Sequence, residues 1–264
     1  MDGFILYTGV TGVMTQEEVE KILKLGHARS KVLAIGILVS AKTMRGISTK
    51  YDFKFPPLSE ISKLYVWHPN VLYIIHYCIG TIDGQEMLNQ DLNRLLNDLL
   101  ILTAMFPWIG GFQINGTCSV SDAELLKEYR SRHPEKRIIL QVGRKFFSKN
   151  YEEIYDKLDL YWEGISDILL DLSGGEGNDK GLADVFNFAK NLHRRQNELS
   201  PGKHKGIGVS GGLDGKTLES IRGLFEVWPQ TNTDAEGKLR TEDKTTFDFP
   251  KVKDYIEVSD SLLR

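Results

Sequence analysis

Short apolar runs alternate with segments of helical periodicity from one end of the chain to the other. Strand-like runs fall at residues 4–8, 32–39, 71–78, 109–115, 137–142, 167–171, 206–210 and, more weakly, 227–234. Most are continuous apolar runs rather than alternations, the pattern of strands covered on both faces. Helix candidates lie between them at 15–25, 85–104, 121–130, 181–195, 216–225 and 250–263, with shorter ones at 58–64 and 151–158. Thr15 with Glu18 and Ser121 with Glu124 have capping-box spacing. Leu88, Leu92, Leu95, Leu96, Leu99 and Leu102 form a stripe at helical spacing, and Pro250 suits a helix start. Eight βα units predict one closed (β/α)8 barrel spanning residues 1–264, with an open α/β sheet as the alternative. Two long polar connections, 44–57 and 230–249, follow strands on the side where such barrels carry their sites, and both are lid candidates.

The 264 residues match the size of such a barrel, typically about 250. A net charge of −3 offers no electrostatic footprint for nucleic acid or for an anionic membrane. Cys78 and Cys118 stand far apart with no CxxC spacing, which argues against a disulfide framework or a zinc site. No signal-peptide pattern or membrane-length apolar run is present. The expectation is a cytoplasmic protein with a small-molecule substrate and no cofactor or metal, working as a monomer or homodimer.

Candidate chemistry gathers at two strand ends. Asp167–Asp171 stops in Ser173, Gly174, Gly175, Glu176 and Gly177; Gly206–Ser210 stops in Gly211 and Gly212. Asp171 ends a strand on the catalytic face, where carboxylates serve as acids or bases, or caps the following loop. Gly211 and Gly212 fit an anion cradle backed by the helix that carries Lys216, or simply a turn. His76, at the end of its strand, has the ordinary pKa of a general base, unless it is a buried structural histidine. Arg45 could clamp a carboxylate or phosphate with its planar fork. Glu176 and Glu236 could join Asp171 in acid–base hydrolysis or bind a divalent cation; as solvated loop residues they would do neither.

In their order these motifs resemble phosphoribosylanthranilate isomerase over most of the chain. Leu6-Tyr7-Thr8-Gly9-Val10-Thr11 is similar to that family's first strand, and Ile35-Gly36-Ile37-Leu38 with Lys42-Thr43-Met44-Arg45 to its second strand and loop. Gln113-Ile114-Asn115-Gly116 resembles its fourth-strand Gln-Leu-His-Gly. Leu169-Leu170-Asp171 with the glycine-rich loop resembles its sixth strand, and Ser210-Gly211-Gly212-Leu213 its seventh. The resemblance implies a barrel of the ribulose-phosphate-binding type and proton-transfer chemistry of the isomerase kind on a ribose-containing, phosphorylated small molecule. It makes Asp171 the acid, with Arg45, Gln113 and Asn115 orienting substrate. Thr8 stands where the family has its catalytic cysteine, and a threonine hydroxyl is no base near neutrality without a partner. Asp234-Ala235-Glu236-Gly237 stands where the family grips phosphate through Ser-Ser-Gly. The reaction expected is therefore related rather than identical, with Thr8 positioning substrate and His76 the first candidate base. The alternatives are a hydrolase of an N-ribosidic bond and a non-catalytic barrel that binds a phosphorylated metabolite.

Overall fold

The computed structural model describes residues 5–25, 31–48, 52–79, 81–82, 85–86, 94–115, 120–143, 151–171, 182–199 and 203–262. Eight parallel strands close into a barrel: β1 Tyr7–Thr11, β2 Val32–Ser40, β3 Val71–Cys78, β4 Gly111–Asn115, β5 Arg137–Gly143, β6 Asp167–Asp171, β7 Gly206–Ser210 and β8 Thr231–Ala235. Each pairs with its neighbours in sequence, and β8 returns to β1 through Thr8↔Thr233, Gly9↔Asp234 and Val10↔Ala235. The fold is a (β/α)8 TIM barrel, and the eight units read from the apolar pattern are its eight strands. Three residues after β3, Thr81–Ile82 pair antiparallel with Gln85–Glu86, so the helix expected over 85–104 does not begin at 85; Leu88 and Leu92 of its stripe lie outside the described residues.

The surrounding helices are α1 Gln16–Lys24, α2 Leu58–Ile61, α3 Arg94–Met105, α4 Val120–Arg132, α5 Tyr151–Tyr161, α6 Leu182–Asn197, α7 Gly215–Ser220, α8 Arg222–Val227 and α9 Phe249–Ser261. Thr15 caps α1 by accepting the Glu18 amide, and the Glu18 carboxylate accepts the amide of Met14. The helix expected at 216–225 is broken at Ile221 into α7 and α8, while Asp248 caps α9 ahead of Pro250. Among the described residues no helix is long and apolar enough to cross a membrane.

Strand alternation sends one residue set outward and the other into the lumen. Outward side chains such as Val10, Ile35, Ile75, Phe112, Leu140, Leu170 and Val209 pack under the helices as the main core. In the lumen, Tyr7, Ala34, Ile74, Ile139 and Leu169 form a separate apolar plug. A polar layer lies at each end of that plug. At the N-terminal end, Arg137 pairs with the fully buried Asp167, whose carboxylate also accepts from Asn232 at 3.3 Å. At the C-terminal end stand the candidate site residues.

One strand boundary differs from its expectation with consequences. The first strand occupies 7–11 rather than 4–8, because Gly9 lies inside the strand instead of ending it. A Cβ at Gly9 would sit 2.3 Å from the Asp234 carboxylate, so the glycine makes room for an inward side chain from β8.

Candidate active site

At the C-terminal mouth, a cavity of about 70 Å³ is lined by Thr11, His76, Gln113, Asn115, Gln141, Asp171, Ser210, Gly211, Gly212, Asp234 and Glu236, among others. A space of that size holds a few waters or the reacting end of a small molecule. A larger cleft, about 200 Å³, opens near the start of β7, with His193 and Trp228 in its lining. It lies away from the strand ends, and the His193 ring is already stacked on Trp228.

Register sets the geometry of the mouth. Asp171 on β6 and Asp234 on β8 both face Ser210 on the intervening β7. Two strand spacings separate them, so their backbones stand roughly 10 Å apart with their carboxylates turned into one cavity. Gln113 donates to Gln141 at 2.9 Å, and Gln141 donates to Asp171 at 2.6 Å. This amide chain fixes Asp171 as an acceptor and orients it. Asn115, one inward position beyond Gln113, also lines the cavity.

Asp234 is only 7% exposed. Burial raises its pKa to about 7, the charges of Glu236 and Asp171 add to the rise, and a hydrogen bond from Thr11 at 2.7 Å opposes it. The Thr11 hydroxyl is also 3.2 Å from His76 Nε2. When Asp234 is ionised Thr11 donates its single proton to it, and His76 then carries its proton on Nε2 to complete the contact. Gly36 permits this arrangement, since a Cβ there would lie 2.2 Å from the Thr11 hydroxyl and 2.8 Å from His76 Nε2.

Several expectations are corrected here. Thr8 does not reach the mouth: it faces the helices and shares a 2.7 Å hydrogen bond with Ser259 of α9. Thr11, three residues further on and so on the opposite face of the strand, is the threonine that points inward. His76 does face the cavity, but burial lowers its pKa to about 3, so it is a neutral hydrogen-bonding group and a poor base. Arg45 is engaged elsewhere. Its guanidinium donates to the Ala41 carbonyl at 2.7 Å and to both oxygens of Asp98 on α3, at 3.0 and 3.3 Å, and Tyr77 donates to the same carboxylate. It fastens the β2 loop to the helical layer.

Gly211 and Gly212 line the mouth with φ of 91° and 68°, a turn that favours glycine. The helix expected to back them as an anion cradle has six residues and already holds a carboxylate, since Asp214 accepts the Thr217 amide at 2.7 Å. Glu236 reaches the cavity rim and pairs with Lys54 at 2.7 Å, joining the two long connections singled out as lid candidates. Cys78 points inward at the end of β3, with its thiol pushed up to about 12 by burial and by Glu236, far from thiolate chemistry. Glu176, Cys118 and the loop 174–177 lie outside the described residues. Among the described residues no three His, Cys, Asp or Glu side chains converge as a metal set.

Thr11 and Gln141 escape a reading of the sequence, and Asp234 enters it only within the stretch that stands where the resembling family grips phosphate. Their signal is faint but present: Thr231-Asn232-Thr233-Asp234 is a barrel strand made almost entirely of polar residues. Such a strand has to turn polar groups into the lumen.

Comparison with known proteins adds the fold and little more. No family model and no curated protein sequence matches the chain. Phosphoribosyl anthranilate isomerase from Thermococcus kodakaraensis matches with 12% identity over 97% of this chain and 98% of its own, at a TM-score of 0.57. Triosephosphate isomerase from Bartonella henselae matches at 12% identity, 97% and 99% coverage and 0.53. The catalytic domain of a hyperthermophilic chitinase from Pyrococcus furiosus gives 11%, 97%, 95% and 0.62. The likeness is one of fold. Isomerases and a glycosidase stand side by side in it, so the chemistry has to be argued from the mouth itself.

Proposed function

We propose that the chain is an enzyme of the isomerase type, carrying out acid–base chemistry at the anomeric end of a ribose-containing small molecule. The observation that carries this reading is the pair of inward carboxylates, Asp171 and Asp234, set across Ser210 in different environments. Asp234, raised to about 7, holds a proton near neutrality and can give it up. Asp171, held as an acceptor by Gln141, is placed to receive one. A carboxyl that keeps its proton near neutrality, set across from one that accepts hydrogen bonds, lets one site run acid and base steps together. Asp234 is therefore the acid, protonating the ring or leaving-group oxygen, and Asp171 the base at the neighbouring carbon. His76 and Thr11 orient Asp234.

A second reading, hydrolysis of an N-ribosidic bond, is favoured by Asp234 and Glu236 standing where the resembling family grips phosphate. The same two carboxylates would then flank the bond to be cleaved.

The test is proton NMR in D2O with ribose, ribose 5-phosphate and inosine as probes. Isomerase chemistry washes out the proton beside the anomeric carbon, and Asp234→Asn lowers the rate by about 10²–10⁴. Release of free hypoxanthine and ribose without wash-out turns the assignment to the hydrolase. Ligand binding with neither outcome overturns the enzymatic reading.

A further inference from the structure

Lys54 reaches the mouth from the β2 connection, which is anchored on both sides of it. Arg45 fastens the start of the connection to Asp98 of α3, and Ile61 and Leu64 beyond it are buried in the core. Between these anchors the 3₁₀ turn Asp52–Lys54 brings the ammonium to 2.7 Å from Glu236 Oε1. Neither partner is an ordinary surface charge, since the two side chains are only 19% and 24% exposed. Glu236 is seated in turn by the end of β1. A Cβ at Gly12, whose φ is 96°, would lie 3.3 Å from Glu236 Cγ and 2.7 Å from Arg240 Nη2, so the glycine leaves room for the glutamate stem. Arg240 holds the same turn by donating to the carbonyls of Gly12 and Thr245. Two groups inside the mouth feel the pair. The Cys78 thiol is pushed up by burial and then by Glu236, with Lys54 pulling the other way. At Asp234 the leading charges are those of Glu236 and Asp171.

The contacts run in series: Lys54 holds Glu236, and Glu236 acts on Asp234. From this we infer that Lys54 is a positioning residue of the mouth, which keeps the Glu236 carboxylate at the rim beside Asp234. The inference rests on the reading of Asp234 as the acid of this site, and it gives the β2 connection a part in setting that acid's strength. A long carboxylate stem that loses its ion pair gains rotamer freedom by turning into water. Its charge then withdraws from Asp234, and the buried carboxyl gives up its proton at lower pH. With Lys54 in place, Asp234 keeps its proton up to neutrality, where the acid step needs it. Among the described residues, the titratable groups facing Asp234 are Asp171 from β6, Glu236 beyond its own strand, Tyr7 from β1, Tyr255 from α9 and, through Thr11, His76 from β3. Glu236 is held from a different part of the chain. Its push can therefore be withdrawn by a change at Lys54 that leaves Asp234 and its strand untouched.

The experiment follows the side-chain carboxyl carbon of Asp234 by NMR across a pH titration of the whole protein, the signal being assigned by its loss in Asp234→Asn. Wild type is expected to titrate at about 7. Lys54→Met and Glu236→Gln should each lower the midpoint by about half a unit to one unit, roughly a three- to tenfold change in the protonation equilibrium. The double variant should titrate with Glu236→Gln, because Lys54 acts through that carboxylate, and Lys54→Arg should restore the wild-type midpoint. A midpoint that Lys54→Met leaves unmoved while Glu236→Gln lowers it overturns the inference and reduces the ion pair to a structural tie. A midpoint raised by Lys54→Met overturns it as well, since Lys54 would then be neutralising Glu236 rather than holding it. No shift in Glu236→Gln removes the link to Asp234 altogether. Turnover of the probes named above is read separately. The expected shifts in a protein that turns over none of them keep the assignment of Lys54 and reject the enzymatic reading; turnover without the shifts rejects the assignment and keeps the enzyme.

Discussion

The two ends of this barrel hold polar residues in the same kind of place, inside the lumen and out of water, and treat them in opposite ways. At the N-terminal end Asp167 is completely buried, yet Arg137 meets it with two hydrogen bonds and Asn232 with a third. At the C-terminal end Asp234 is nearly as buried, and its one side-chain hydrogen-bond partner among the described residues is the hydroxyl of Thr11. Both carboxyls are pushed upward by burial, but Arg137 pulls against the rise at Asp167, while at Asp234 two further carboxylates reinforce it. A neutralised buried charge is architecture. One left unbalanced is poised to exchange a proton, and that difference separates the mouth from the base more sharply than residue types do.

The comparison can be broken first at Asp234. Asp234→Asn should remove turnover, as given above, and at the same time stabilise the fold. The native pKa of about 7 lies above the unfolded carboxylate value, so the folded state holds the proton more tightly and stability falls as pH rises from about 4 to about 7. The variant escapes that loss. Its melting temperature should exceed that of the wild type at pH 8, by the equivalent of a few kcal/mol, and the gap should close by pH 4. A variant less stable than wild type at pH 8 would mean that Asp234 is architectural after all.

At the other end the expectation reverses. Arg137→Met strands a buried carboxylate and should cost about 3–5 kcal/mol in denaturant unfolding, partly recovered at low pH, while the folded fraction keeps its turnover. Loss of activity at unchanged stability would merge the two ends into one system. The smallest effect belongs to neither end. Thr8→Val gives up a hydrogen bond to Ser259 and should cost about 1 kcal/mol with no change in ligand binding. An activity loss there would restore Thr8 to the mouth.

What could be read from the sequence follows from what leaves a local trace. The barrel was legible because strands covered on both faces read as apolar runs, and Asp171 was legible because it ends one of them. Thr8 was misplaced because the resemblance aligns it with the family's catalytic cysteine at a strand end, whereas the strand runs on through Gly9, whose missing side chain accommodates Asp234. Arg45 offered a suitable fork, but the carboxylate that takes it lies fifty-three residues away on α3, a pairing no local pattern announces. His76 has the ordinary chemistry of a base until burial removes it. Asp234 was noticed only as part of the stretch replacing the family's phosphate grip, and its significance depends on neighbours from β1, β3 and β6.

The apolar plug of Tyr7, Ala34, Ile74, Ile139 and Leu169 has a bearing on proton traffic. Among the described residues the plug's one protonic group is the Tyr7 hydroxyl, which feels the charge of both Asp167 and Asp234 but is buried without a hydrogen-bond partner, so it joins no hydrogen-bonded relay between the two ends. Any proton that Asp234 releases or recovers must therefore enter and leave on the side where the substrate arrives. The barrel works as a vessel open at one end, and a ligand seated in the mouth closes its own proton supply for as long as it stays.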